Sequence, residues 1–213
     1  MHTALGPWPT RAIMALFGLA AGGIGWHYLL FPTANLTGSA RVAIALILVC
    51  IDQGRMAWVD LDHVHQLSLA DRRVVKFYSI TLITIVIELV GFYLVWQNLA
   101  LGMVIFLISQ LFFNTTAQSQ LYPQSPEPIR PFPFQARWPV LLANGIALGL
   151  ITLWQANQMR QLTSTLWLAM VVIYLGVKYL VVNNPGAPSV DVGPVVEVAP
   201  SVATSTDQGK NSL

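Results

Sequence analysis

Four side chains able to ligate a metal or move a proton stand within six residues, at Asp60, Asp62, His63 and His65. Imidazole and carboxylate together suit zinc, iron or manganese. The spacing works against a ready-made centre. On a helix Asp60 and His63 share one face and Asp62 and His65 another, while in an extended chain the two His oppose the two Asp. The H-E-x-x-H and paired-cysteine spacings are absent. A solvated connector accounts for this cluster more simply than a metal site.

Glu88 is the acid deep inside an apolar run, and Thr81, Thr84, Glu88 and Gly91 follow one another at spacings of three, four and three. Those spacings line one helical face, which is expected to turn toward a bundle interior. An ionisable group within a membrane is by default a functional hypothesis, because proton relays and ion paths use such groups. The alternative is a protonated glutamic acid acting as packing glue against a hydroxyl or a carbonyl. His27 lies roughly 6 Å and Glu88 roughly 12 Å below the same side, by helical rise, so the two could form a hydrogen bond or ion pair if helices one and three touch. Asp52 and Arg55, three apart, are expected to neutralise each other on one face. There is no nucleophile-base pair, no glycine-rich phosphate loop and no opposed His pair for haem, so no cofactor is expected.

Composition dictates which elements position these residues. With 55% hydrophobic and 9% charged residues, the chain has far less polar surface than a soluble domain, where about 25% of residues are charged. Apolar stretches at about 12–31, 40–59, 69–96, 99–113, 139–154 and 162–182 predict an all-α polytopic bundle of six transmembrane helices in one domain, residues 1–182. The first stretch is too long for the core of a cleaved signal peptide and is read as a retained helix. Ser68 and Asp71 have the spacing of a capping box opening the third helix. Only Gln97 and Asn98 separate the third and fourth, which forces a tight antiparallel hairpin.

Between residues 114 and 138, Pro123, Pro126, Pro128, Pro131 and Pro133 predict an extended, polyproline-like loop. Residues 33–39 read as a loop, and residues 183–213, with four further prolines, as a disordered tail. In the first helix Gly18 and Gly22 form a GxxxG pair, and Ala21 and Gly25 repeat the spacing further round. Small residues four apart let another helix approach closely, within the chain or in a partner. The single cysteine, Cys50, excludes an intramolecular disulfide.

Charge orients the scheme. Arg11, Arg55, Arg72, Arg73, Lys76, Arg130, Arg137, Lys178 and Lys210 fall on one side and only Arg41 and Arg160 on the other. The cation-rich side is expected to be cytoplasmic, with both termini on it. Tryptophans at both sets of helix ends, such as Trp58 and Trp138 against Trp96 and Trp154, agree with interfacial belts. A net charge of +2 gives no footprint for nucleic acid. The expected partners are the lipid bilayer and other membrane proteins or a second copy. These features suggest a non-enzymatic accessory or assembly factor of a membrane complex. A small transporter or proton-coupled carrier using Glu88 is the alternative, and a metal-dependent enzyme at Asp60–His65 a distant third.

The stretches WVDLDHVHQLSLADRRVVKFY and FFNTTAQSQLYP resemble small multi-pass membrane proteins of cyanobacterial type. The resemblance implies a bacterial plasma membrane or photosynthetic membrane and assigns no catalytic residue.

Overall fold

In the computed structural model, residues 8–30 and 38–182 are described; the loop expected near residues 33–37 and the tail after residue 182 lie outside them. Six helices are long and apolar enough to cross a membrane. α1 is Trp8–Gly25, continued by a π-helical turn at Trp26–Leu30, and α2 is Ser39–Gln66. α3 is Arg72–Val95, α4 Leu99–Thr116 and α5 Phe134–Gln155. α6 is Arg160–Gly176, continued by π-helical turns at Val177–Val182.

α2 does not stop near residue 59. It has 28 residues, about 42 Å by helical rise, and so is longer than the roughly 30 Å of hydrocarbon in a bilayer. No glycine or proline interrupts Val59–Gln66, and the Gln66 side-chain amide donates to the Asp62 carboxylate at 2.7 Å. The expected connector residues Asp60, Asp62, His63 and His65 are therefore helical. Leu67 ends the helix in extended backbone.

The capping box also needs correction. Asp71, not Ser68, is the N-cap, and its carboxylate accepts from the Arg73 backbone N–H at 2.8 Å. The same carboxylate receives the Arg73 guanidinium at 2.9 Å, a local pairing that a serine does not offer. That guanidinium holds the Asp71 carboxyl below the usual carboxylate range. Ser68 instead accepts from Ala70 N–H at 3.2 Å, so α3 starts three residues later than expected.

α4 extends past residue 113 to Thr116 because its polar residues satisfy themselves. Ser109, Thr115 and Thr116 donate back to the carbonyls of Phe106, Leu111 and Phe112 at 2.6–2.7 Å. The proline-rich stretch is not a featureless loop. Ser119–Leu121 (β1) and Ile129–Pro131 (β2) pair antiparallel, with Ser119 opposite Pro131, so the proline sits at a strand end where no ladder donor is lost. α5 begins at Phe134 rather than at 139, carrying Pro139 within its second turn. The extra turn places Arg137 so that its guanidinium donates to the carbonyls of Asn114 at 3.0 Å and Ala117 at 2.8 Å, capping the end of α4.

α3 and α4 pack on each other most extensively, followed by α1 on α2. Glycines make the first approach possible. A Cβ on Gly102 would lie 2.6 Å from the Gly91 carbonyl oxygen, and one on Gly91 would lie 3.0 Å from that of Gly102. α1 seats Phe17, Ala21 and Ile24 on α2, and Cys50 donates its thiol to the Phe17 carbonyl at 3.2 Å. Gly25 faces Ile47 of α2, but Gly18 and Gly22 have nothing within 4 Å of a built Cβ. The GxxxG pair thus faces outward, while the second small-residue pair packs inside.

Gly102→Val should lower the thermal unfolding midpoint in detergent, by an overpacking cost of about 1–3 kcal/mol. Gly149→Val, where a built Cβ meets nothing within 4 Å, should leave the midpoint unchanged in the same measurement.

Candidate functional site

The α3 stripe read from the sequence does face inward: Thr81, Thr84, Glu88 and Gly91 are all buried. It forms one wall of a cavity of about 350 Å³. α2 contributes Gln53, Asp60 and His63, α4 contributes Gln110 and Asn114, α6 contributes Tyr174 and Lys178, and the β-hairpin covers one end with Leu121 and Tyr122. Glu88 is sixteen residues beyond Arg72, so about 24 Å from the start of α3 by helical rise.

Each polar group in this cavity has a traceable origin. Glu88 is 2% exposed and accepts a hydrogen bond from the Gln110 side-chain amide of α4. Asn114, one turn on, donates to the Gln110 carbonyl at 2.8 Å, which ties the two amides to one face of α4. Thr84 donates to the Ile80 carbonyl at 2.9 Å. Thr81 differs: it is 2% exposed and its hydroxyl has no partner. Asp60, half-buried, makes no hydrogen bond or ion pair among the described residues.

Two expected pairings are replaced by others. Asp52 does not pair with Arg55. Its two carboxylate oxygens accept from the Lys178 ammonium at 2.7 Å each, and one accepts from the Tyr179 hydroxyl at 2.6 Å. Arg55 donates to that same hydroxyl at 3.1 Å. Residues three apart are about 60° apart around a helix, enough to bury Asp52 while leaving Arg55 exposed. A buried carboxylate is better served by an ammonium from inside the bundle than by a solvated neighbour on its own helix. Lys178 and Tyr179 are consecutive, and the wide π-helical turn carrying them brings both onto one carboxylate.

Glu88 likewise takes Gln110 rather than His27. At the π-helical turn after α1, Tyr28 holds the inward position and donates its hydroxyl to the Val95 carbonyl at 2.7 Å, while the His27 ring sits edge-on to Tyr28 at 4.6 Å.

The acid and histidine cluster divides. Asp60 and His63 line the cavity, whereas Asp62 and His65 are exposed. Among the described residues no three His, Cys, Asp or Glu side chains gather closely enough to hold a metal ion.

Lys178, Tyr179 and Gln53 were not singled out from the sequence as site residues. The signals for Gln53 and Gln110 are their spacings, seven residues from Asp60 and four from Asn114. The resulting arrangement offers two carboxylates, four side-chain amides and a hydroxyl without a partner among the described residues, with Phe77, Phe113 and Tyr174 as aromatic walls. It has the groups to hold a proton and to bind a polar solute.

Lys178→Met leaves the Asp52 carboxylate buried without its cation and should destabilise the fold by roughly 3 kcal/mol. Adding Asp52→Asn should recover part of that loss, as a double-mutant cycle of thermal unfolding in detergent would record. Compared with protein-family models, curated proteins and solved structures, the chain matches none.

Proposed function

We propose that this chain is an integral membrane carrier that binds a small solute in the cavity and exchanges it against a proton on Glu88. The observation that carries the reading is a buried carboxylate lining a solute-sized cavity, beside a threonine hydroxyl without a partner. Small-molecule sites typically measure roughly 300–1,000 Å³ and combine apolar walls with a few convergent polar groups. Ionisable groups inside membrane helices cost several kcal/mol by most measures and mark substrate and proton paths.

The surroundings of Glu88 are asymmetric, as a carrier requires. On one side the cavity continues past Thr81 and Asp60 to the β-hairpin. One turn along α3 on the other side, Phe92 stacks on Phe106 at 5.5 Å, and Phe17 meets Phe92 edge-on at 5.8 Å. That aromatic cluster closes the path toward Trp96, so a solute exchanges with the hairpin end. Lys76 donates to Gln118 beside the hairpin at 2.7 Å, and Arg72, Arg73, Arg130 and Arg137 belong to the same end. In our reading this cation-rich end and both termini are cytoplasmic, in a bacterial plasma or photosynthetic membrane.

A second reading, an accessory subunit bound to another membrane protein, rests on a different observation. Gly18 and Gly22 are exposed, and a Cβ built on either meets nothing within 4 Å among the described residues, the kind of face on which a partner helix packs.

Two measurements test the carrier. In everted membrane vesicles energised to hold a pH gradient, addition of organic cations, organic anions, sugars or amino acids should collapse the gradient for one class. Glu88→Gln, which keeps a hydrogen-bonding side chain of the same shape, should slow that collapse at least tenfold. Collapse by no class, or at an unchanged rate in Glu88→Gln, removes the reading. Separately, a reporter fused after Leu213 should be accessible from the cytoplasmic side only; labelling from outside would invert the orientation.

A further inference from the structure

We infer that the solute is an organic cation, a small ammonium group on an apolar or aromatic body. This deepens the carrier reading by naming its substrate class, and it rests on the charge inventory of the cavity. Two carboxylates line it, Glu88 and Asp60; of the two basic side chains that line it, Lys178 is held by both oxygens of Asp52, and His63 makes no ion pair with either carboxylate among the described residues. Gln110 reaches Glu88 as a neutral donor, and Asp60 has no partner among the described residues. The lining therefore carries acid without a matching cation. A positive ligand completes it.

The walls select what kind of cation. Phe77 and Phe113 line it with the carboxylates, and the Lys178 ammonium already lies over the Tyr174 ring at 5.5 Å; an ammonium over an aromatic face is attracted by the ring quadrupole. The Thr81 hydroxyl lines the same cavity, 2% exposed and without a partner among the described residues. A buried hydroxyl left unpaired is costly, so a hydrogen-bonding group in the cavity would satisfy it.

The same inventory disfavours the other classes. An organic anion would face two carboxylates with the Lys178 ammonium already engaged. A divalent metal needs several ligating groups at one point, and no three gather among the described residues. A sugar needs polar partners all round, while most of the lining is apolar.

The test is binding, which requires no transport. Purified full-length protein in a neutral detergent is titrated calorimetrically with benzylammonium, benzyl alcohol and phenylacetate. The cation should bind saturably and at least tenfold more tightly than the other two. Asp60→Asn and Glu88→Gln should each weaken it at least fivefold, and the two together should eliminate it. If Glu88→Gln does not fold, Asp60→Asn carries the test, because Asp60 is only half-buried and contributes no bond to the fold. Equal binding of benzyl alcohol, tighter binding of phenylacetate, no saturable binding, or cation binding indifferent to both substitutions overturns the inference. Failure here alongside gradient collapse by a sugar or an anion leaves the carrier standing with another substrate. Cation binding without any collapse leaves the site standing and removes the carrier.

Discussion

A carboxylate buried in an apolar bundle must find a cation, and for Asp52 that cation is 126 residues further along the chain. The Asp52–Lys178 pair joins α2 to α6. It lies where the row closes: α3 packs on α4, α4 on α5 and α5 on α6, and α6 packs back on α2. With α6 returned to α2, the row becomes a ring, and the space inside the ring is the cavity. Tyr179 and Arg55 extend the pair outward, so the charge network runs from the bundle interior to its surface. Ion pairs of this depth contribute little net stability against an apolar replacement, but removing one partner is costly. The pair therefore sets which helices meet more than how tightly they hold.

Within the ring, polar side chains are handled in two ways. Most bond back to their own helix, as Thr84, Ser109, Asn114, Thr115 and Thr116 do to carbonyls three or four residues earlier. That removes their polarity from the interior at the cost of a slight local bend. Three side chains of the cavity do otherwise. Glu88 bonds across to α4, while Thr81 and Asp60 bond to nothing described. In a chain that satisfies its hydroxyls so consistently, an unpaired threonine beside two carboxylates is better explained by a ligand than by careless packing.

Much of this was legible in the sequence, and what was not has a physical reason. Six apolar stretches gave the helix count, and the spacing of Thr81, Thr84 and Glu88 gave the inward face, because length and periodicity are local properties. Helix ends were harder: Asp71 displaced Ser68 as cap through an arginine two residues on, and Arg137 drew α5 into an earlier start by capping α4. The partners of Asp52 and Glu88 were not legible at all. The nearest candidate along the sequence, Arg55, lost to Lys178 because burial separates two residues that share a helical side, and burial is decided by tertiary packing. His27 lost to Gln110 for a related reason, since Tyr28 takes the inward position at the end of α1. The π-helical turn that delivers Lys178 and Tyr179 together leaves no mark in the residue pattern.

The π-helical turns of α1 and α6 end helices that both pack on α2. Such turns are less regular than the α-helix and recur where a protein uses its helices rather than merely packing them. One sets Tyr28 on the last carbonyl of α3, and the other sets Lys178 on Asp52. Both bonds thus hold α2 or α3 from outside, at opposite ends of the Glu88 stripe. For the carrier we propose, the aromatic cluster opens where Phe17 of α1 meets Phe92 of α3, since Phe92 and Phe106 stand on the paired α3 and α4. The mutual approach of Gly91 and Gly102 locks α3 and α4 backbone to backbone, whereas α1 and α6 both pack on α2. Glu88 thus stands on the closely approaching pair α3 and α4, with α2 and α6 completing the cavity around it.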